Sequence, residues 1–401
     1  MTRGPVAEIS LSAIAQNLHT VQRIVKNRPV LAVVKADAYG HGAVEVSKRL
    51  LKEGISYLAV AFTGEARELR DAGINIPILV LFDRGDVRDY FDFNLTPVVY
   101  SMHTASSLSN EAKKRETSIK IHVKVDTGMG RLGLCGDHAL DDLIKISEMP
   151  GLEVAGLLSH FSEADLSDRS YALSQLERFD AVQSAISQKL KRKIFSHIAN
   201  SAAVLSLETS YLDAVRPGLM LYGYSPLNQN LHIPLPSSNP PIPPLEKGDK
   251  GGSESGGLGG MTSKIDLIAA MKVRTRILCI RNMPSGTPIS YGRTFTTKRP
   301  STIGVIALGY ADGYPRSFSN NSEVLVKGKR APVVGRVCMD LTMIDLTDVG
   351  GAEESDEVVI LGRQGNESIT ADELALKANT ISYEILTTLG SRSKRTYVET
   401  H

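Results

Sequence analysis

The sequence predicts an α/β protein with two parts: a (β/α)8 barrel of the triosephosphate-isomerase type, and a mainly antiparallel β domain after it. Three observations lead to this prediction. Apolar runs alternate with helix-compatible stretches through residues 30–222. A Pro- and Gly-rich segment then breaks the pattern, and from Ile265 onward short β-rich runs follow one another. Alternation is typical of a parallel sheet covered by helices, whereas successive short strands between turns are typical of an antiparallel sheet.

The barrel prediction depends on eight candidate strands in the first half. They cover residues 30–36, 57–61, 77–81, 96–100, 120–126, 154–160, 195–200 and 214–222. Helical patterns separate them. One covers 65–72 and is followed by Gly73 as a C-cap, and another covers 173–190. Eight strands alternating with helices predict a closed barrel, and a doubly wound open sheet, which usually has fewer strands, is the alternative.

The second half is predicted to form the β domain. Its β-rich runs cover 270–280, 302–308, 323–326, 331–345 and 357–361. A helix is predicted over 371–389, because Thr370 with Glu373 three residues later is a capping pattern. An early strand over 6–11 precedes the first barrel helix, and we expect it to return to this β domain.

These patterns divide the chain into four segments. Residues 1–11 are the strand that joins the β domain, 12–230 the barrel, 231–264 a flexible insertion, and 265–401 the C-terminal β domain. The insertion is proline-rich at 239–244 and glycine-rich at 248–260. Few large apolar groups are present there to offset the entropy of ordering the chain.

Composition excludes several classes of protein. The 46 Lys and Arg residues nearly balance the 44 Asp and Glu, and no basic run suggests a nucleic-acid partner. No apolar stretch is long enough for a signal peptide or a membrane span. The cysteines (135, 279 and 338) have neither metal-ligand nor disulfide-framework spacing. We therefore expect a cytoplasmic protein without a metal, a membrane or a nucleic-acid partner.

Lys35 ends the first candidate strand, where the apolar run 30–34 meets the glycine-rich sequence ADAYGHG. Burial there would remove hydration from the amine and favour its neutral, nucleophilic form. Amines of this kind form Schiff bases with carbonyl substrates or with pyridoxal phosphate. For this segment taken alone, a surface lysine that caps an exposed strand is the alternative.

Polar residues recur where the later candidate strands end. Lys124 belongs to the fifth strand, His160 to the sixth, His197 with Ser201 to the seventh, and Arg216 to the eighth. Reactive groups of barrel enzymes gather at this rim, and small residues near the last two strands suit a phosphate site built from backbone amides. A lysine together with a phosphate site predicts pyridoxal phosphate as the cofactor.

Each of these residues has a structural explanation when it is taken alone. His160 could be a buried histidine with satisfied hydrogen bonds, Lys124 a solvated strand residue, and Arg216 a structural ion-pair partner. Tyr291 could be an ordinary strand tyrosine, and Met339 part of a core and a turn. The ordered arrangement of the whole set favours a catalytic site.

Eight motifs in order cover nearly the whole chain. They are VVKADAYG (33–40), KVDTGMGRLG (124–133), HIANS (197–201), VRPG (215–218), SYGRT (290–294), GYADGY (309–314), CMD (338–340) and SYE (382–384). In these motifs the chain resembles the bacterial alanine racemases, which are pyridoxal-phosphate enzymes of the barrel class (fold type III). The resemblance implies interconversion of L-alanine and D-alanine, with the D-alanine supplied to peptidoglycan synthesis.

The resemblance also implies a two-base mechanism. Lys35 would hold the cofactor covalently and act on the D face of the substrate α-carbon, and Tyr291 would act on the L face. His160 would assist Tyr291 and contact Arg216, whose guanidinium would face the pyridine nitrogen of the cofactor. Lys124 matches a position that often carries a carbamate. Substrate contacts are implied for Arg131, Met339, Lys124 and Tyr310. Cofactor contacts are implied for Lys35, Tyr39, His197, Ser201, Arg216, Gly218, Leu219 and Tyr383.

A homodimer with active sites at its interface is a further implication. In the family, the residues that match Tyr291, Tyr310 and Met339 reach the cofactor of the opposite subunit. Tyr310 and Tyr383 would narrow the entrance and limit the pocket to a side chain about the size of a methyl group.

Three other functions are weighed against this one. A racemase of another small amino acid, such as serine, would use the same scaffold and the same residues. A decarboxylase on the same barrel would carry a glutamate where this chain has Arg216. A pyridoxal-phosphate carrier would be a lone barrel without the β domain that contains Tyr291 and Met339.

Overall fold

The computed structural model describes residues 4–83, 85–136, 138–228 and 265–399. The insertion predicted over 231–264 lies outside the described residues. In the first half the strands are β1 (Val6–Ser10), β2 (Leu31–Val33), β3 (Tyr57–Val60), β4 (Ile78–Val80), β5 (Thr96–Val99), β6 (Ile119–Lys124), β7 (Leu152–Leu158) and β8 (Phe195–His197). The helices are α1 (Leu11–Ile24), α2 (Lys35–Tyr39), α3 (Ala43–Lys52), α4 (Thr63–Asp71), α5 (Val87–Asp92), α6 (Met102–Lys114), α7 (Ala139–Ser147), α8 (Ser170–Leu190) and α9 (Ser201–Ser206).

Helices cover the barrel sheet with apolar faces. In α1, Ile14, Leu18 and Val21 follow helical spacing and are fully buried. Each such side chain contributes about 1.5–3 kcal/mol of hydrophobic free energy before the entropy of ordering is subtracted. Ser10 fixes the start of this helix, because its Oγ accepts a hydrogen bond from the N–H of Ala13 (3.2 Å).

Strands β2 to β8 form one parallel sheet in which each strand pairs with the next along the chain. Residues 214–217 lie in the eighth position. The N–H groups of Leu31 and Val33 donate to the carbonyls of Val215 (2.9 Å) and Pro217 (3.0 Å), and the N–H of Arg216 donates to the carbonyl of Ala199 (2.8 Å). These bonds close the sheet on itself, so the predicted barrel is confirmed.

The prediction of an eighth strand over 214–222 was wrong beyond residue 217. Isolated bridges join this segment to its neighbours, and Leu219–Tyr222 is a 3₁₀ turn. Pro217 has no N–H with which to continue a ladder. The N–H of the next residue, Gly218, donates to Oγ of Ser201 (2.9 Å) and not to a strand.

The second half contains a mainly antiparallel sheet, as predicted. Its strands and helices are β9 (Met271–Met283), β10 (Pro288–Ile289), β11 (Phe295–Thr296), β12 (Ser301–Ile306), β13 (Glu323–Val326), β14 (Lys329–Pro332), β15 (Thr342–Asp345), β16 (Glu357–Gln364), β17 (Glu367–Ile369), α10 (Ala371–Ala378), α11 (Ser382–Arg392) and β18 (Lys394–Val398). The strand order is β14-β13-β16-β9-β1-β18, with β12 on β9. Strand β1 pairs antiparallel with β9 and parallel with β18, so the chain starts in the sheet of its second half.

Two predictions for this half need correction. The run predicted over 331–345 is divided into β14 and β15, because Gly335 (φ 76°) turns the chain into a loop that carries Met339. The helix predicted over 371–389 is divided into α10 and α11 by Asn379 in the left-handed conformation (φ 56°). Its start is confirmed, since Oγ1 of Thr370 accepts a hydrogen bond from the N–H of Glu373 (3.1 Å).

The barrel and the β domain meet at the segment that follows β2. A methyl group added to Gly40 would lie 2.6 Å from the carbonyl oxygen of Leu386, so the close approach of α11 requires glycine there. Asp37 forms an ion pair with Arg395 of β18. The segment that carries Lys35 is therefore held against the β domain by contacts with α11 and β18.

Candidate active site

A cavity of about 170 Å³ lies at the C-terminal ends of the barrel strands. The site residues predicted from the sequence that line it are Lys35, Tyr39, Lys124, Arg131, His160, Ser201, Arg216, Gly218, Leu219 and Tyr383. Other lining residues were not predicted as site residues; they are Val33, Leu81, Phe82, Leu158, Ser159 and Asn200. Phe82 follows β4, whose end shows no polar signal in the sequence before Asp83.

Lys35 begins a left-handed turn, α2. Ala36, Asp37, Ala38 and Tyr39 have φ between 50° and 55°, a conformation that costs about 1–2 kcal/mol for each non-glycine residue. Hydrogen bonds offset this cost. Nδ1 of His41 lies 3.0 Å and 3.1 Å from the carbonyl oxygens of Ala38 and Tyr39. Carbonyls only accept, so Nδ1 carries the ring proton. The turn is thus fixed with Lys35 and Tyr39 facing the cavity.

Positive groups are concentrated in this cavity. Burial lowers the pKa of Lys35, and the nearby Arg131 guanidinium lowers it further. Burial, followed by the charges of Arg131 and Arg216, lowers the pKa of Lys124 to about 8. Both amines therefore lose protons more readily than surface lysines, which makes them better nucleophiles and bases near neutral pH.

Arg216 lies at the back of the cavity and is almost fully buried (5% exposed). Burial lowers the pKa of Arg216 to about 9, so the guanidinium still carries its charge at neutral pH. Its Nη2 donates to the carbonyls of Ser159 (2.6 Å) and Ile198 (3.1 Å) and lies 3.4 Å from Nδ1 of His160. The contact predicted between His160 and Arg216 is therefore present.

His197 lies behind Arg216 and does not line the cavity. Its ring contacts the arginine, and its contact with a cofactor stays a prediction. Nη1 of Arg216 donates to Nδ1 of His197 (2.6 Å). A guanidinium only donates, so the ring proton of His197 is on Nε2, which donates to Nδ1 of His122 (2.9 Å). A buried chain of hydrogen bonds thus runs from Arg216 into the barrel interior.

This buried series of hydrogen bonds predicts that acid lowers the stability of the protein. Burial lowers the pKa of His122 to about 4, whereas an unfolded histidine titrates near 6.5. Between these values the unfolded state binds more protons, so the free energy of unfolding falls as pH drops, by on the order of 2 kcal/mol per such histidine between pH 7 and 5. The His122→Asn variant keeps an acceptor for His197 and removes the titrating ring. We expect its unfolding free energy to fall less steeply with acid.

Urea unfolding at pH 7, 6 and 5, at a fixed protein concentration, measures this slope. His103→Asn, which replaces an exposed histidine, is the matched control. Equal slopes for wild type and His122→Asn would contradict a neutral buried His122.

Gly218, Ser201 and Tyr39 form a cradle of small and hydroxyl groups. A methyl group on Gly218 would lie 2.4 Å from Oη of Tyr39, so only glycine fits beneath that phenol. Oγ of Ser201 accepts from the N–H groups of Gly218 (2.9 Å) and Met220 (3.4 Å). Burial raises the pKa of Tyr39, and it raises the pKa of Tyr383 to about 12, so both phenols keep their protons and can donate. An amine, hydroxyls, backbone amides and a guanidinium around one cavity fit a phosphorylated aldehyde such as pyridoxal phosphate.

Tyr291, Tyr310 and Met339 do not line the cavity of their own chain. They are 70%, 42% and 54% exposed on the β domain. They lie on connected loops: the N–H of Tyr310 donates to the carbonyl of Cys338 (3.0 Å), and Ser290, next to Tyr291, donates to the carbonyl of Arg336 (2.7 Å). The resemblance implied that these three residues act as a set, and the structure places them on connected, exposed loops of the β domain.

The residues that the structure describes contain neither a membrane-spanning helix nor a cluster of metal ligands. No helix there has both the length and the apolar character needed to cross a bilayer. Within the same ranges, His, Cys, Asp and Glu side chains form no group of three or more suited to a metal ion.

Comparison with known proteins identifies both halves of the chain. The family model "Alanine racemase, N-terminal domain" matches residues 9–226, and "Alanine racemase, C-terminal domain" matches residues 270–397. An alanine racemase of Thermodesulfovibrio yellowstonii is 44% identical over 402 aligned positions, which cover 99% of each chain.

Solved structures agree with the sequence matches. The alanine racemase of Bacillus anthracis with bound L-Ala-P is 33% identical, with a TM-score of 0.83 over 99% of this chain and 96% of that one. The alanine racemase of Bartonella henselae with covalently bound pyridoxal phosphate is 30% identical, with a TM-score of 0.81 over 99% of this chain and 100% of that one. The fold, the residues that line the cavity and these full-length matches together show that the chain belongs to the alanine racemase family.

Proposed function

We propose that this protein interconverts L-alanine and D-alanine with pyridoxal phosphate as its cofactor. The observation that carries the proposal is the convergence of Lys35, Arg131 and Arg216 on one small cavity beside the cradle of Gly218 and Ser201. The relatives that match nearly the whole chain are named alanine racemases, and one of them holds pyridoxal phosphate covalently.

The cofactor, when bound, withdraws electrons from the α-carbon of the amino acid and makes its C–H bond acidic. Lys35 would hold it, and Tyr39, Ser201 and Gly218 would hold its phosphate. The remaining steps belong to side chains of this protein. The lowered pKa of the Lys35 amine suits it to take and return the α-proton on one face. The guanidinium of Arg131 would bind the substrate carboxylate through charge-assisted hydrogen bonds.

Inversion needs a second base on the opposite face, since a single base returns the proton to the side from which it came. We assign this role to Tyr291. Its side chain is 70% exposed and does not line the cavity of its own chain, so a second subunit has to supply it. A homodimer in which Tyr291, Tyr310 and Met339 of one chain complete the cavity of the other meets this requirement.

Mixing two inactive variants tests the shared site. In a heterodimer of Lys35→Ala and Tyr291→Phe, one cavity has both substitutions and the other has neither. Random mixing makes half of the dimers heterodimers, so we expect roughly a quarter of wild-type activity to return. Lys35→Ala mixed with Arg131→Ala is the matched control, because Lys35 and Arg131 line the same cavity of one chain and neither mixed site is intact. No recovery in the first mixture would contradict sites shared between chains.

A direct assay tests the activity. The purified protein with pyridoxal phosphate and L-alanine should produce D-alanine until the two enantiomers are equal, and D-amino-acid oxidase measures the D-alanine in quenched samples taken over time. L-Serine and L-lysine are assayed beside it. A larger kcat/KM for serine than for alanine would favour the alternative racemase. The cytoplasmic location and the supply of D-alanine to peptidoglycan stay predictions from the sequence.

A further inference from the structure

The loop that carries Arg131 begins and ends at the rim of the barrel. It leaves β6 after Lys124 and returns to the same strand end at Leu134. The N–H of Asp126 donates to the carbonyl of Leu134 (2.8 Å), and the N–H of Leu134 donates to the carbonyl of Lys124 (2.8 Å). Residues 127–133 therefore form a closed loop whose two ends are fixed, and Arg131 extends from it into the cavity lining.

The carboxylate of Asp126 binds the amides of this loop. Its Oδ1 accepts hydrogen bonds from the N–H groups of Gly128 (2.9 Å), Met129 (2.8 Å) and Gly130 (3.2 Å). Its Oδ2 accepts a hydrogen bond from the N–H of Arg131 (3.0 Å). Partial burial raises the pKa of this carboxyl, but the four amide hydrogen bonds outweigh burial and hold the pKa below its usual value. The carboxylate is therefore ionised at neutral pH, and each of its hydrogen bonds is charge-assisted.

Helix α8 binds the carbonyls of the same loop. Oη of Tyr171 donates to the carbonyl of Gly128 (2.8 Å), and Nη1 of Arg178 donates to the carbonyl of Thr127 (2.8 Å). Gly128 has φ 132°, and a methyl group on it would lie 2.5 Å from Oη of Tyr171, so the approach of the helix requires glycine there. The loop is thus held by Asp126 through its amides and by α8 through its carbonyls.

We propose that Asp126 is a positioning residue that fixes the direction in which the side chain of Arg131 enters the cavity, and that Tyr171 secures the same loop from α8. The hydrogen bond to Oδ2 fixes the peptide group from which the arginine side chain begins. Asp126 does not line the cavity, so it acts through Arg131. The inference rests on the proposed function, in which Arg131 binds the carboxylate of alanine, and it assigns part of the substrate affinity to a residue outside the cavity.

Asp126→Asn is the sharpest test, because the two side chains have nearly the same shape. The oxygen of asparagine can still accept from the three amides around Oδ1, whereas its NH₂ group donates and so cannot bind the N–H of Arg131. In the holoenzyme we expect KM for alanine to rise roughly 10- to 100-fold, with kcat within about 3-fold of wild type. Rates are expressed per bound pyridoxal phosphate, measured by absorbance, so that loss of folded protein does not enter them.

Propanoate, which is alanine without its amine, tests the carboxylate contact directly. Saturation-transfer NMR during a titration of the holoenzyme measures its dissociation constant without any turnover. We expect Asp126→Asn to weaken propanoate binding by the same factor as KM, roughly 10- to 100-fold, since both report the contact with Arg131. A residue that only stabilised the fold would lower the folded fraction and leave this constant unchanged.

Asp356→Asn is the matched control. Oδ2 of Asp356 accepts a hydrogen bond from the N–H of Glu353 (2.7 Å) in the β domain, and the residue does not line the cavity. It should leave KM and propanoate binding unchanged. Tyr171→Phe removes one hydrogen bond to the loop and should raise KM roughly 2- to 5-fold. It takes the place of Asp126→Asn if that variant does not fold, as judged by circular dichroism.

Hydrogen exchange separates this proposal from the proposed function. Mass spectrometry of the holoenzyme should show the amides of 128–131 exchanging roughly 10-fold faster or more in Asp126→Asn, because the bonds that protect them are weakened. A protein that racemises nothing would defeat the proposed function, yet exchange and propanoate binding would still decide whether Asp126 places Arg131. Wild-type exchange in folded Asp126→Asn, wild-type propanoate affinity, or a fall in kcat with KM unchanged would each overturn the proposal.

Discussion

The Lys35→Ala variant is expected to bind no pyridoxal phosphate covalently, to lose the visible absorbance of the bound cofactor, and to lose about 10⁴-fold or more in kcat/KM for alanine. The amine is the group that attaches the cofactor and the group that moves the proton on one face, so one substitution removes both. Its backbone setting is independent of the side chain, since the turn that follows is held by His41 and Glu65. The loss should therefore occur without loss of fold.

Absorbance spectra and borohydride reduction followed by peptide mass spectrometry measure the attachment. Lys48→Ala, which removes an exposed lysine paired with Glu45, is the control and should keep the cofactor. Lys124 is the informative alternative, because its amine lines the same cavity and has a lowered pKa. A reduced cofactor found on Lys124 in the wild-type protein would reverse the assignment.

The Tyr291→Phe variant is expected to lose about 10²- to 10⁴-fold in racemisation, the usual contribution of a general acid or base. The loss should be confined to one face of the substrate. In D₂O, D-alanine should still exchange its α-proton through Lys35, whereas exchange from L-alanine should fall with racemisation. The structure places this phenol on the surface of the β domain. The loss of racemisation in Tyr291→Phe therefore also tests whether the active site is shared between two subunits.

Proton NMR of each enantiomer in D₂O measures the two exchange rates separately. Steady-state racemisation rates cannot separate them, because the equilibrium constant fixes the ratio of kcat/KM in the two directions. Tyr57→Phe, at the N-terminal end of the barrel strand β3, is the control. Equal loss of exchange from both enantiomers would count against two bases on opposite faces.

Much of the site could be predicted because of a simple geometric rule. Parallel strands of a barrel end on one rim, so Lys35, Lys124, His160 and Arg216 had to approach one another once their strands were recognised. The rule failed where a residue carries no polar signal. Phe82 reads as an ordinary apolar residue at the end of β4, and only the structure places it in the lining of the cavity.

His197 shows the same limit in another way. Its place at the end of β8 predicted a position at the rim with the other polar residues. In the structure it lies behind the cavity lining, where it accepts a hydrogen bond from Arg216 and donates to His122. Period-two alternation indicates that a side chain points into the barrel, but it does not indicate how far along the barrel axis the side chain lies. Depth depends on how the strands are staggered, which is a property of the closed sheet.

The sequence by itself determined much of the chemistry: residue types and their order indicated a lysine, a guanidinium and a phosphate cradle at the ends of strands, and the resemblance to a known family added a distant tyrosine. Only the tertiary structure decided which of these groups share a cavity, that the eighth strand is reduced to two bridges, at Val215 and Arg216, and that Tyr291, Tyr310 and Met339 do not line the cavity of their own chain. The physical reason is that spacing along a chain fixes the direction of a side chain, whereas proximity between remote segments depends on sheet closure and on the packing of one domain against the other.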